Sequence, residues 1–423
     1  MMSKDERDKF IQKNVKYNFI LNSVDGAAFS LGLVFISFNT IFPVFLKKLG
    51  ANNFLISLIP FITIAGSSFP QLFAAHYVKN LSVKKPFTAF IGLLQRIPWL
   101  ILGTVTVIWG SKAPNIVLFS ALFMLVFYMV AGGLSGPVWF DLISKITPIS
   151  LRGRLMSARA IIGQLFGIIG SFFTAYIIGN IAYPYNYAAL FFICFAILMI
   201  SWAAFVFLKE PEDEVNENTE DFWLFVKGIP SILKGNKDFR SFVISRAFFE
   251  LGIAVTAFYS VYSIKHFSLP DSYAGIFTTV TSIAYVAGNL VLGYLGDKKG
   301  HKLNLVIGMI SCALGAIIAM LAGNVAIFYI IFVLASIAQG ARDVSVSNIT
   351  VEFCSSSERA AYIAISSIIM IPISLIVLPM GSIADIFGYN YLFLITMLSS
   401  IAAFAILYFK VRDPRHKHIS KAK

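Results

Sequence analysis

The sequence predicts an all-α membrane protein, with twelve transmembrane helices in two pseudo-symmetric bundles of six. Three observations predict it: an apolar composition, apolar runs of membrane-spanning length, and a one-sided distribution of basic residues. Of 423 residues, 58% are hydrophobic and 13% charged, and the mean hydropathy is +0.79. A soluble chain of this length needs far more polar surface. About twenty apolar residues cross a hydrocarbon core of about 30 Å. Such runs recur at 18–48, 54–78, 86–110, 114–145, 153–181, 186–209, 240–266, 271–297, 302–323, 325–353, 359–386 and 390–410.

Orientation follows from Lys and Arg. With both termini cytoplasmic, the loops and helix ends on that side collect 27 of the 34 basic residues, including Lys145, Arg152, Arg154 and Arg159 around the start of the fifth span. The opposite side receives Lys47, Lys48, Lys112 and Lys265. That asymmetry matches the positive-inside rule, and it needs an even number of spans. The net charge of +13 therefore reads as topology and affinity for anionic lipid, not as a nucleic-acid interface. Cys194 and Cys312 fall inside spans and Cys354 at a helix end, so no disulfide framework is implied. The first seventeen residues are charged and lack a signal-peptide core.

The chain divides in the middle. Residues 1–209 form a first bundle, 210–238 a cytoplasmic linker, 239–410 a second bundle and 411–423 a basic tail. The linker opens with seven acids in twelve residues, from Glu210 to Asp221, which reads as solvated chain. It continues with Trp223, Phe225, Val226, Ile229, Ile232 and Leu233 between lysines, a pattern suited to a helix at the membrane surface or to a simple tether. The halves carry a faint repeat. Asp141 and Lys145 stand eleven and seven residues before Arg152, as Asn348 and Glu352 do before Arg359, and the third and ninth spans share an Ile-Gly pair at Gly92 and Gly308.

Between the eighth and ninth spans stands GYLGDKKGHK, where Gly293, Asp297, Lys298, Gly300 and Lys302 fall in the order Gly-x-x-x-Asp-Lys-x-Gly-x-Lys. This resembles the cytoplasmic loop signature of the major facilitator superfamily, and the architectural resemblance covers essentially the whole chain. Gly293 is expected to let two helices approach closely and Gly300 to permit a tight turn. The resemblance implies that Asp297 latches the cytoplasmic side, with Arg152 or Arg154 at the start of the fifth span as partner. The equivalent loop of the first half, FAAHYVKNLSVKKPF, lacks the acid and both glycines. The family's antiporter glycine–proline signature is also missing from the fifth span.

Six ionisable residues lie within spans: Asp25, Arg96, Arg246, Glu250, Arg342 and Asp343. A charge there costs about 2.5–3.5 kcal/mol on insertion scales and marks a functional position by default. At about 1.5 Å per residue, five of them share a depth in the cytoplasmic half, and Arg246 is shallower. Arg246 and Glu250, four apart, share a helix face. Arg96 is expected to clasp Asp25. Arg342 and Asp343 are adjacent, so their side chains diverge by about 100° around the helix and at least one is expected to look elsewhere. The resemblance puts spans one, four, seven and ten around a central cavity. That cavity would hold Asp25, Arg246, Glu250, Gln339, Arg342, Asp343 and Asn348, with Asp25 and Glu250 as candidates for proton coupling.

The resemblance thus implies a secondary active transporter working by alternating access, with a small organic solute, a coupling ion and membrane lipid as partners. The protein is expected to be a monomer without cofactor. A non-transporting receptor or assembly factor on the same fold, and a lipid flippase or other membrane enzyme, remain the alternatives. No P-loop and no His/Asp/Glu cluster at metal-ligand spacing is present, so nucleotide hydrolysis and metal chemistry are not expected.

Overall fold

The computed structural model describes residues 4–78, 81–212, 222–354 and 358–413. Most of the acidic stretch 210–221 and of the basic tail lies outside them. Among the described residues the regular structure is all helical. In chain order the helices are α1 (Lys4–Val34), α2 (Ile41–Lys48), α3 (Asn53–Val78), α4 (Lys85–Trp109), α5 (Pro114–Ile146), α6 (Ile149–Asn180), α7 (Tyr185–Val206) and α8 (Phe222–Gly235). They continue as α9 (Lys237–Ala254), α10 (Thr256–His266), α11 (Tyr273–Lys299), α12 (His301–Leu321), α13 (Val325–Glu352), α14 (Arg359–Ile368), α15 (Met370–Ile386) and α16 (Tyr389–Lys410).

Eleven segments of the described chain are long and apolar enough to cross a membrane. The first of the twelve expected spans is the one outside this set, because Asn18, Asn22, Ser23 and Asp25 dilute the apolar part of α1. Large apolar side chains stay exposed along the helices, among them Phe119, Phe123, Phe172, Leu290 and Leu398. In water such surface would drive association; against lipid it is in its proper solvent.

Three expected spans are broken rather than continuous, and proline accounts for two of the breaks. Pro43 has no N–H for the carbonyl of Asn39, four residues back, and α1 and α2 separate over residues 35–40. The freed Asn39 carbonyl accepts instead from Ser260 Oγ at 3.2 Å. Pro372 likewise deprives Ile368, and α14 ends there. The third break, at Val255, divides α9 from α10.

The chain splits into two compact units, and the cut does not follow chain order. One unit comprises Met1–Ser37, Lys48–Gly50 and Ala65–Asp221; the other comprises Phe38–Lys47, Ala51–Ile64 and Phe222–Lys423. In the first, α4 packs on α5 and α7, and α1 on α6 and α7. Its core holds Leu142, Ile143, Leu155 and Phe205. In the second, α12 packs on α13 and α16, and α9 on α16, around Phe239, Phe242, Phe249 and Leu407. The helix α8 occupies the expected position, and its Ile229, Ile232 and Leu233 pack against this core. That contact gives these three residues a protein partner.

The faint repeat in sequence has a structural counterpart. Lys85 Nζ donates to the carbonyl of Leu208 at 2.9 Å in the first unit, as Lys302 Nζ does to Val411 at 2.7 Å in the second. The Lys209 amide donates to Asn18 Oδ1 at 2.9 Å, as the Arg412 amide does to Asp238 Oδ1 at 3.2 Å. In each unit the third helix of the six is thereby tied to the end of the sixth, and the sixth to the start of the first.

Within the second unit, one carboxylate caps the start of α3. Asp385 Oδ2 accepts from the amides of Asn53 and Phe54 at 3.0 and 3.3 Å, and Oδ1 accepts from Asn53 Nδ2 at 2.8 Å. The exposed amides of a helix start favour an anion for the same reason that Asp favours the N-cap. Tyr389 donates to Asn53 Oδ1 at 2.7 Å and Ser57 to the Leu378 carbonyl at 2.8 Å, which fixes the register of the two helices.

Candidate functional site

Each unit buries its own cluster of charged side chains. In the first unit, Asp25 on α1 is 4% exposed. Its partner is not Arg96, as the sequence predicts, but Arg159 on α6, whose Nη1 lies 2.9 Å from Asp25 Oδ2. The other carboxylate oxygen accepts from Ser201 Oγ at 2.7 Å. Arg96 is satisfied by neutral acceptors: the Leu198 carbonyl at 2.6 Å, the Gly92 carbonyl at 2.5 Å and Ser201 Oγ at 2.9 Å. The expected clasp is therefore indirect, with Ser201 bridging the two. Arg159 also donates to the carbonyl and side-chain oxygen of Asn22, and its guanidinium lies 4.6 Å from the ring centre of Trp139. A cavity of about 280 Å³ opens against these groups, lined by Asp25, Gln95, Arg96, Trp139, Arg159 and Trp202 among others.

In the second unit the predicted residues largely come together. Glu250, 4% exposed, lies between two arginines. Its Oε1 is 3.6 Å from Arg246 Nε and its Oε2 is 3.0 Å from Arg342 Nη1. Arg246 further donates to the carbonyl of Ser366 at 2.9 Å and to that residue's hydroxyl. Arg342 and Asp343 do meet, at 2.9 Å between Nη2 and Oδ1. The divergence of adjacent side chains is overcome by the length of the arginine. Asp343 also accepts from Tyr285 at 3.0 Å and from Gln339 Nε2 at 3.1 Å. The result is one chain of charges across α9, α13 and α11: Arg246, Glu250, Arg342, Asp343 and Tyr285. Asn348 stays outside it and donates to the Val344 carbonyl of its own helix at 2.7 Å.

The signature residues lie at the junction of α11 and α12. Gly300 has φ of +99°, a region that strongly favours glycine and makes the turn between the two helices. Gly293 does not serve close packing, since a Cβ there would meet nothing within 4 Å; the close approach is at Gly296, against His301 and Asn304. Lys298 lies 2.5 Å from Tyr294 Oη and Asp297 is exposed. Arg152 turns back onto its own unit, donating to the carbonyls of Thr147 and Ser144 at 3.1 and 2.5 Å; Arg154 is exposed.

Sequence reasoning misses Arg159, Ser201 and Tyr285. Arg159 is legible in principle: α6 begins at Ile149, so ten residues at 1.5 Å each put it about 15 Å along the helix. Starting the fifth span at residue 153, where the apolar run begins, puts it only about 9 Å along, close enough to the end to be counted with the cytoplasmic charges. Among the described residues, no group of three or more His, Cys, Asp and Glu is arranged to hold a metal ion.

A family model described as Major Facilitator Superfamily matches residues 24–264 and 242–423. The chain belongs to the Major Facilitator Superfamily. Its fold resembles a point mutant of the nucleoside transporter NupG, with a TM-score of 0.70 and 13% identity over 93% of this chain and 99% of the other. A POT family transporter in complex with a thioalcohol-conjugated peptide matches at 0.68 and 12%, covering 94% and 95%. A D-xylose–proton symporter matches at 0.67 and 14%, covering 94% and 98%. No curated protein sequence matches significantly. The superfamily is one of membrane transporters and not of enzymes, and the chain is accordingly a multi-pass integral membrane protein.

Proposed function

We propose that this superfamily member is a proton-coupled secondary transporter that moves a small organic solute across the cytoplasmic membrane by alternating access. The observation that carries the reading is the placement of two buried carboxylates in contact with arginines, Asp25 with Arg159 and Glu250 with Arg246 and Arg342. Protonating Glu250 removes the charge that holds Arg342 to α9, so proton binding loosens α9 from α13. Neutralising Asp25 weakens the tie between α6 and α1 in the same way, leaving Arg159 on its neutral acceptors at Asn22. The proton dependence of a D-xylose symporter and of oligopeptide transporters with this fold supports the coupling ion. The one-sided division of basic residues, 26 to 4 once Arg159 is placed within α6, supports cytoplasmic termini, and we take the working unit to be a monomer in lipid.

The test is reconstitution in liposomes loaded with a pH-sensitive dye, against a panel of sugars, amino acids, organic anions and cationic drugs. Wild-type protein is expected to couple solute entry to proton movement, and Glu250→Gln to lose the proton movement. Coupled movement that survives in both Glu250→Gln and Asp25→Asn removes these two as coupling residues. The absence of solute movement under every gradient would instead make the protein a receptor or assembly factor.

A further inference from the structure

We propose that the cavity inside the first unit is an anion site, taking the carboxylate of a small organic acid with a flat apolar body. The proposal rests on the transport reading and deepens it by naming the class of solute.

Charge balance is the first argument. Three ionised groups line the cavity, Asp25 from α1, Arg96 from α4 and Arg159 from α6, and α5 and α7 add only uncharged residues. Two guanidinium groups against one carboxylate leave a positive surplus around the cavity. Both oxygens of Asp25 are already engaged, by Arg159 and by Ser201, so Asp25 offers little to a cationic solute. A third positive charge would raise the imbalance, a neutral solute would leave it, and a monoanion cancels it.

The second argument is the donor set. Gln95 is 7% exposed and lines the cavity, yet its side chain makes no hydrogen bond to another described residue. Its amide is not among the fully buried unpaired atoms, so it is reached from the cavity, and a ligand oxygen accepting from its Nε2 would take the place of water there. Arg159 spends Nη1 on Asn22 and Asp25, and its Nη2 makes no hydrogen bond to a described residue. One amide and one guanidinium nitrogen therefore remain as donors around the same space, the requirement of a carboxylate's two oxygens.

The walls set the rest of the molecule. Phe29, Trp139 and Trp202 line the cavity. Trp202 donates its Nε1 to the Ala89 carbonyl at 2.8 Å, so only its apolar surface is left for a ligand. Arg159 already stacks on Trp139, and a flat body entering beside that pair extends the stack.

Benzoate, neutral benzamide of the same shape, and inorganic phosphate distinguish the elements of the proposal. Trp139 and Trp202 report binding through their fluorescence in detergent-purified protein. Benzoate is expected to quench saturably, with benzamide and phosphate each at least tenfold weaker. Gln95→Leu, which deprives no other residue of a partner, is expected to weaken benzoate tenfold or more while eluting as folded protein on gel filtration. Equal binding of benzoate and benzamide, or unchanged benzoate binding in Gln95→Leu, overturns the proposal. Phosphate binding as tight as benzoate overturns the flat-body requirement. The measurement involves no transport, so the two readings fail separately. Solute movement in liposomes without benzoate binding sinks only the site, and benzoate binding without solute movement sinks only the transport reading.

Discussion

Replacing Glu210 by alanine is expected to lower the thermal unfolding midpoint of the detergent-solubilised protein by about 5 °C. The residue lies just past α7, at the head of an acidic stretch, where composition alone makes it one solvated acid among seven. The structure buries it. Glu210 Oε1 lies 2.9 Å from Lys145 Nζ, and the two side chains are 1% and 2% exposed. Its oxygens also accept from the amides of Lys84 at 2.9 and 3.0 Å and of Lys85 at 2.8 Å, the first turn of α4. Alanine would leave the buried Lys145 ammonium without its carboxylate, with the Ser82 carbonyl at 3.0 Å still accepting from it, and would uncap the positive end of α4. Breaking one side of a buried pair costs about 3–5 kcal/mol. Glu212→Ala, two residues on at an exposed position, is the control and should change stability by less than about 0.5 kcal/mol. Equal midpoints for the two variants would mean that Glu210 is solvated after all.

Glu210 also shows why some of this molecule could be read from its sequence and some could not. Hydropathy and basic-residue asymmetry are properties of whole segments, and they survive averaging; the helical membrane fold and its repeat are legible on that basis. Rotation about a helix axis is not averaged in this way. Depth arithmetic brings Asp25 and Arg96 to one level, but it carries no azimuth, and the partner of Asp25 is Arg159, on a helix whose start lies four residues earlier than its apolar run suggests. In the second unit the i,i+4 spacing of Arg246 and Glu250 is itself an azimuth, and that pair is found. Cβ directions alone argue against the Arg342–Asp343 contact, because they neglect the reach of a guanidinium on a flexible stem. Glu210 is hidden in a composition window: averaging it with six neighbouring acids describes this first residue wrongly.

Gly381→Ala is expected to separate α3 from α15. A Cβ at Gly381 would stand 2.0 Å from the Asn53 carbonyl oxygen, 2.4 Å from its carbon and 2.6 Å from Phe54 Cα. All three are backbone atoms, so no rotamer change relieves the overlap and one helix must move away from the other. The displaced atoms belong to the turn whose amides Asp385 accepts. The steric change should therefore break an electrostatic cap it does not touch. Amide hydrogen exchange at Asn53 and Phe54 measures this directly and should quicken at least tenfold in Gly381→Ala. Asp385→Asn should quicken it less, because the amide oxygen can stand where Oδ2 does and accept both bonds, and only the charge facing the helix start is lost. If the order is reversed, with the alanine variant exchanging like wild type, the backbones do not approach as closely as the overlap implies, and Asp385 rather than Gly381 determines how the two helices meet.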